Sequence, residues 1–149
     1  MSATRRPEEA ARETAAREES PAATDRLSVL LVDPHAEFRS AASALLDHHG
    51  LDVIGVGDAA DAATVEGIPD CVVVDPGVGG EVEIRRAAWL GLRSPVVLVT
   101  GAPPWALPDA AWTVADAYVE KGRQGTFCRL ANRVRAVSRA THGRSTPRR

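Results

Sequence analysis

Residues 27–33 read LSVLLVD, an apolar run that ends at the carboxylate of Asp33. Three later segments have the same form: CVVVD ends at Asp75, VVLVT ends at Thr100 and AYVEK ends at Lys121. Continuous Val and Leu runs are typical of strands in a parallel sheet that is covered by helices on both faces. In such sheets the residues that do chemistry collect at the carboxyl ends of the strands. We therefore predict that these four polar side chains meet at one edge of one sheet.

Segments with helical spacing alternate with the strands. A glycine at position 50 is placed to end the first helix, Asp58 is placed to cap the second, and the faces expected to pack on the sheet include Leu45 and Val82. The predicted strands cover 27–33, 51–57, 70–75, 94–100 and 117–120, and the predicted helices cover about 36–49, 59–65, 81–90, 109–114 and 126–141. Strict alternation predicts an α/β, flavodoxin-like (βα)5 domain, a doubly wound parallel five-stranded sheet in the order 2-1-3-4-5.

Length and composition indicate a single small domain. A chain of 149 residues with 44% apolar content is long enough to form one core. No apolar run approaches the roughly 20 residues that a membrane helix needs, and the first twenty residues lack the apolar centre of a signal peptide. We therefore predict a soluble, cytoplasmic protein. Cys71 and Cys128 are too few for a disulfide framework or a metal cluster, and both are predicted to be small core residues.

Charge is distributed unevenly along the chain. Residues 1–26 carry a net charge of −1, residues 27–120 carry −10 and residues 121–149 carry +9. The two ends contain too few large apolar residues to offset the entropy lost on ordering. We predict a disordered N-terminal tail over 1–26, a folded domain over 27–140 and a basic, disordered C-terminal tail over 141–149. No aromatic or base-reading motif accompanies the C-terminal arginines, so nucleic acid is not predicted as a partner.

The order of the segments and their strand-end residues resembles the receiver domain of two-component response regulators, the CheY-like family. The resemblance covers residues 27–140 and implies that Asp75 accepts a phosphoryl group. It also implies that Thr100 contacts the phosphoryl oxygens and that Lys121 pairs with them. Tyr118, three positions before the lysine, is expected to change rotamer on activation. For any one strand-end residue taken alone, capping of the following turn is the alternative explanation.

The same resemblance implies a Mg²⁺ site. Its expected ligands are the carboxylates of Asp33 and Asp75 and the backbone carbonyl of Gly77, since Mg²⁺ prefers oxygen ligands in octahedral geometry. Receivers usually close the first strand with two adjacent acids, whereas this chain has Asp33, Pro34 and His35. Pro34 cannot ligate a metal through its side chain, so the affinity for Mg²⁺ is expected to be lowered. His35 is assigned no role, because a lone histidine in a loop is most often simply solvated.

Two classes of function follow from the resemblance. In the first, the chain is a single-domain response regulator: a sensor histidine kinase or phosphotransfer protein phosphorylates Asp75, and the domain then binds a downstream protein target, without being an enzyme. In the second, the chain is a pseudo-receiver that binds partners independently of phosphorylation, because Pro34 replaces a metal-binding acid. A homodimer through helix four, strand five and helix five remains an open alternative. A flavin-binding function is not predicted, because the loop after the first strand has no Ser/Thr-rich phosphate cradle.

Overall fold

The computed structural model describes residues 26–77, 80–90 and 92–145. Strands and helices alternate along this part of the chain, as the sequence predicts, and a short 3-10 helix at Pro104–Ala106 precedes the fourth α-helix. The elements are β1 (Leu27–Val32), α1 (Ala36–His48), β2 (Leu51–Val56), α2 (Ala59–Ala62), β3 (Cys71–Val74), α3 (Gly80–Leu90), β4 (Val96–Thr100), α4 (Asp109–Val114), β5 (Ala117–Glu120) and α5 (Thr126–Ser145).

The five strands form one parallel sheet in the order β2-β1-β3-β4-β5. Every residue of β3 and β4 is buried, as their continuous apolar sequences require when helices cover both faces of a sheet. In β1, Val32 is paired with Val56 on one side and with Val74 on the other. The predicted fold class and strand order are confirmed.

Alternate residues of each strand enter two apolar cores, one on each face of the sheet. On one face, α1 and α5 contribute fully buried residues that include Leu46 and Leu130. On the other face, α2, α3 and α4 contribute buried residues that include Ile84 and Ala111. Each large aliphatic side chain buried in this way stabilises the fold by roughly 1.5–3 kcal/mol. The two cores hold the sheet rigid and so fix the positions of the residues at its carboxyl edge.

Two helix positions that the sequence assigns to the sheet side are exposed. Leu45 and Val82 are 45% and 46% exposed, whereas Leu46 and Ile84 are fully buried. Successive helix residues are about 100° apart, so only part of an apolar stripe can reach the sheet. The prediction that Leu45 and Val82 pack on the sheet was wrong, and the burial of Ile84 was missed.

Two further predictions concern the last helix. Cys128 is exposed, so its prediction as a core residue was wrong, whereas Cys71 is buried as predicted. Cys128 lies next to the exposed Arg129 on the solvent side of α5, whereas the preceding residue, Phe127, packs against the core. The helix extends to Ser145, past the predicted end near Thr141, so part of the segment predicted as a disordered tail is helical.

The predicted N-terminal tail lies almost wholly outside the described residues. Its last residue, Arg26, is described and forms ion pairs with Asp47 at 2.5 Å and with Asp52 at 2.7 Å. Within the described ranges, no helix combines the length and the apolar character that crossing a membrane would demand.

Candidate functional site

The parallel register brings the four strand-end residues to one edge of the sheet. Each strand end is extended by a backbone hydrogen bond: the N–H of Asp75 donates to Val32 at 2.8 Å, and the N–H of Lys121 donates to Thr100 at 2.8 Å. Asp33 is fully buried, and Asp75 and Thr100 are 4% and 6% exposed. The side chains of Asp33, Asp75 and Lys121 are in mutual contact there, and Thr100 ends the neighbouring strand.

The ammonium group of Lys121 bridges the two carboxylates. Its Nζ lies 2.5 Å from Asp75 Oδ2 and 2.8 Å from Asp33 Oδ2, and the lysine side chain is only 14% exposed. The same ammonium lies 4.1 Å from the centre of the Phe38 ring, which stacks on Phe127 at a centroid distance of 5.2 Å. A cation held between two buried anions and an aromatic face interacts much more strongly than a surface ion pair, since little water screens it.

The second oxygen of Asp75 is held by the loop that follows β3. The backbone N–H of Gly77 donates to Asp75 Oδ1 at 2.8 Å. Gly77 has a φ of +68°, a conformation that favours glycine, so the sequence can make this tight turn back toward the carboxylate. Gly77 also lines an open cleft of about 880 Å³ together with His35, Asp75, Thr100 and Lys121. The predicted phosphoacceptor is therefore fixed in orientation and lies in the wall of this cleft.

His35, to which the sequence assigned no role, belongs to the same cluster. Its Nδ1 lies 3.0 Å from Asp33 Oδ1, 3.6 Å from Asp75 Oδ2 and 3.3 Å from Lys121 Nζ. The backbone N–H of His35 also donates to Asp33 Oδ1 at 2.8 Å. This local hydrogen bond turns the chain after Pro34 and points the imidazole at the acids. The signal available in the sequence was the position of His35, two residues beyond a strand-end acid.

The cluster contains a set of atoms that could hold a cation. Asp33, His35 and Asp75 each offer a ligand atom, and these atoms lie within 4.8 Å of one another. Asp33 Oδ2 is buried and accepts no hydrogen bond, because Lys121 approaches it at ion-pair distance without hydrogen-bond geometry. A buried carboxylate oxygen without a hydrogen bond fits a site for a divalent cation. The donor set is thus compatible with a metal, although Pro34 contributes no side-chain ligand.

The predicted switch residues Thr100 and Tyr118 are connected through the backbone of Ala102. The N–H of Ala102 donates to Thr100 Oγ1 at 3.2 Å, and the hydroxyl of Tyr118 donates to the Ala102 carbonyl at 2.6 Å. The Tyr118 ring also contacts Trp112 of α4 at a centroid distance of 5.6 Å. Burial, followed by the nearby Glu120 carboxylate, raises the pKa of the Tyr118 phenol. The roles of Ala102 and Trp112 were missed, because neither residue type signals this contact.

Comparison with known proteins gives partial sequence matches to transcription regulators. No family model matches the chain. The transcription regulator BvgA of Bordetella pertussis is 40% identical over 83 residues, a match that covers 51% of this chain and 39% of BvgA. BvgA of Bordetella bronchiseptica matches to the same extent. The chain therefore spans about two fifths of the length of the curated relatives it matches.

Solved structures with the same fold are numerous. The chemotaxis response regulator CheY4 of Vibrio cholerae aligns with a TM-score of 0.61 and 19% identity, over 73% of this chain and 98% of CheY4. The response regulator TrrA of Thermotoga maritima, solved in complex with Mg²⁺ and BeF, aligns with a TM-score of 0.62 and 21% identity, over 74% and 98% of the two chains. The chain has the fold of a CheY-like response regulator receiver domain, as the resemblance in its sequence implied.

Proposed function

We propose that this chain is a receiver that accepts a phosphoryl group on Asp75 and signals through protein–protein contact. The observation that carries the proposal is the setting of the Asp75 carboxylate. One oxygen accepts the N–H of Gly77 and the other lies 2.5 Å from Lys121 Nζ. In the proposed step an Asp75 oxygen forms a bond to phosphorus, while the bond from phosphorus to the donor breaks and the leaving group takes its electron pair. The donor is a phosphohistidine of a sensor kinase or phosphotransfer protein.

Lys121 supplies part of the charge compensation that this step needs. An anionic nucleophile attacks an anionic phosphoryl group only when positive charge offsets the repulsion between them. The ammonium of Lys121 already contacts the nucleophilic carboxylate and is close enough to pair with phosphoryl oxygens attached there. A divalent cation held by Asp33, Asp75 and the carbonyl of Gly77 would supply the rest of the positive charge. Mg²⁺ is the ion that the resemblance implies for this position.

Signal output is proposed to pass through Thr100 and Tyr118. A phosphoryl group on Asp75 would accept a hydrogen bond from the Thr100 hydroxyl, and rotation of Thr100 toward it would weaken the hydrogen bond that the Ala102 N–H donates to Thr100 Oγ1. Any resulting movement of Ala102 would disturb the hydrogen bond from Tyr118. Tyr118 packs against Trp112, so this change would reach the face formed by α4, β5 and α5. That face is our proposed binding surface for a downstream protein or for a second copy of the chain. The predicted cytoplasmic location and the absence of enzyme activity belong to the same proposal.

A second candidate function is supported by Pro34 and by the position of Lys121. Because Lys121 bridges both carboxylates, the site is compensated in part without any metal. Pro34 supplies no ligand in the place where receivers usually have a second acid. In this pseudo-receiver the same fold binds partners constitutively, and phosphorylation of Asp75 plays no part.

Intact-mass measurement after incubation with acetyl phosphate distinguishes the two candidates. The receiver proposal predicts a phosphoryl adduct on the wild type that requires a divalent cation and is lost in Asp75→Asn. Asp70→Asn is the matched control, because Asp70 lies at the opposite end of the same strand and hydrogen-bonds to the N–H of Ser28 at 2.8 Å. It should retain the adduct. Absence of adduct from the wild type, with adduct gained in Pro34→Asp, would overturn the receiver proposal in favour of the pseudo-receiver.

A further inference from the structure

We propose that Asp33, His35 and Asp75 form a site for a divalent transition-metal ion, with His35 Nδ1 as a direct ligand. The imidazole replaces the ligand that Pro34 cannot supply. The biological role of this ion rests on the proposed function, because the ion would serve the same phosphorylation site. The binding itself is a property of the unphosphorylated protein and can be measured independently.

The geometry of the cluster gives the first argument. His35 Nδ1 faces both carboxylates, at 3.0 Å from Asp33 Oδ1 and 3.6 Å from Asp75 Oδ2. Ligands of one ion must converge in this way, and the three ligand atoms lie within 4.8 Å of one another. The His35 side chain is 62% exposed, so its ring can adjust its position without disturbing the core. The acids come from the rigid ends of β1 and β3, which fixes the remaining two ligands.

The burial of one Asp33 oxygen gives a second argument. Within the described ranges, Asp33 Oδ2 is the buried side-chain oxygen or nitrogen that lacks any hydrogen-bond partner. Asp33 is fully buried, and its carboxylate points at His35 and Asp75. A buried carboxylate oxygen without a hydrogen bond depends on a neighbouring positive charge, which the Lys121 ammonium supplies at 2.8 Å. A metal ion at the cluster would take over this role from the ammonium.

The ligand types indicate which metals the site prefers. Mg²⁺ binds oxygen ligands almost exclusively, whereas imidazole nitrogen suits Ni²⁺, Zn²⁺ and other borderline cations. With Pro34 at the usual position of an acid, the site offers Mg²⁺ two carboxylates and the carbonyl of Gly77. For a transition metal the same site offers an additional strong ligand in His35.

Lys121 increases the preference of the site for a transition metal over Mg²⁺. Any cation must compete with the ammonium that now lies 2.5 Å and 2.8 Å from the two acids. Mg²⁺ competes poorly, because it gains no bond to His35 and has only the oxygen ligands to offset the displaced ammonium. A transition metal adds the coordination bond to His35 and displaces the ammonium more readily.

Isothermal titration of tag-free, unphosphorylated protein with NiCl₂ and, separately, with MgCl₂ tests the proposal. We expect His35→Asn to weaken Ni²⁺ binding by about tenfold or more while leaving Mg²⁺ binding within about twofold. Pro34→Asp should strengthen Mg²⁺ binding, because it adds an oxygen ligand. The matched control replaces the adjacent histidines of the first helix end, as His48→Asn together with His49→Asn, and should leave Ni²⁺ binding unchanged.

Two results would overturn the proposal: unchanged Ni²⁺ affinity in His35→Asn, or an equal loss of affinity in the control with both His48 and His49 replaced. Circular dichroism on each variant shows whether a loss of binding reflects loss of the fold. Acetyl phosphate labelling is scored separately. A protein that binds Ni²⁺ through His35 but never forms an adduct would refute the proposed phosphorylation and leave the metal site standing.

Discussion

Replacing Lys121 by glutamine should destabilise the protein substantially in the absence of divalent cations. The substitution keeps most of the side-chain stem but removes the charge that bridges Asp33 and Asp75, which are 0% and 4% exposed. Breaking a buried ion pair by removing one partner typically costs about 3–5 kcal/mol, since an uncompensated charge remains buried. For a domain of this size, a loss of about 3 kcal/mol lowers Tm by roughly 10–20 °C.

Urea denaturation followed by circular dichroism in EDTA measures this cost, and Arg26→Gln is the matched control. Arg26 lies 2.5 Å from Asp47, the same distance that separates Lys121 from Asp75, but its acidic partners are largely exposed. Exposed pairs are screened by water, so the control should change stability far less. If the two variants lose equal stability, burial does not set the strength of the Lys121 bridge and our reasoning is refuted. Adding a divalent cation should restore part of the stability of Lys121→Gln, since binding to the folded state stabilises it.

Three further outcomes are expected. Tyr118 is the single tyrosine, and the absorbance of its phenolate should appear at a pH above the ordinary phenol pKa. The extra stability of the wild type over Tyr118→Phe should be fully present below about pH 10, where an unfolded tyrosine ionises. It should then fall as the pH rises toward the raised pKa of Tyr118 in the folded protein. A titration at or below the ordinary value would contradict this. Asp58→Ala removes the acceptor of the Asp61 N–H and should cost about 1 kcal/mol in urea denaturation, whereas an equally large loss in Asp58→Asn would argue against capping. Leu46→Ala should cost about 2–5 kcal/mol by the same assay because Leu46 is fully buried, and a comparable loss in the exposed neighbour variant Leu45→Ala would refute the assignment of the core.

The order of the strands could be predicted from the sequence because buried parallel strands have a distinctive composition. Helix ends were less predictable, because they depend on local hydrogen bonds. The second helix was expected to reach Val65 but ends at Ala62. Beyond that point, the Thr64 hydroxyl donates to the Asp61 carbonyl at 2.7 Å. A side chain that competes for backbone carbonyls in this way does not favour continuation of a helix.

The candidate site was predictable to the extent that it lies on strand ends. Parallel register places the ends of β1, β3, β4 and β5 along one edge, and Asp33 and Asp75 are neighbours because β1 and β3 are adjacent. Lys121 reaches both acids from β5, past the end of β4, through its long side chain. Contacts made by loops and helices were not predictable in the same way. The approach of His35 depends on the turn after Pro34, and the cation–π contact depends on where α1 places Phe38.

The charge of the site connects the metal to the choice between the two candidate functions. Asp33, Asp75 and Lys121 together carry about one net negative charge. A phosphoryl group on Asp75 would replace one negative charge by nearly two, so the phosphorylated site without metal would carry close to −2 in a poorly solvated pocket. A bound divalent cation would bring the same site to near neutrality. By this charge count, the phosphorylation that we propose for Asp75 needs a cation at the cluster of Asp33, His35 and Asp75. If it holds none, the phosphorylated state is strongly disfavoured and the fold is left with phosphorylation-independent binding.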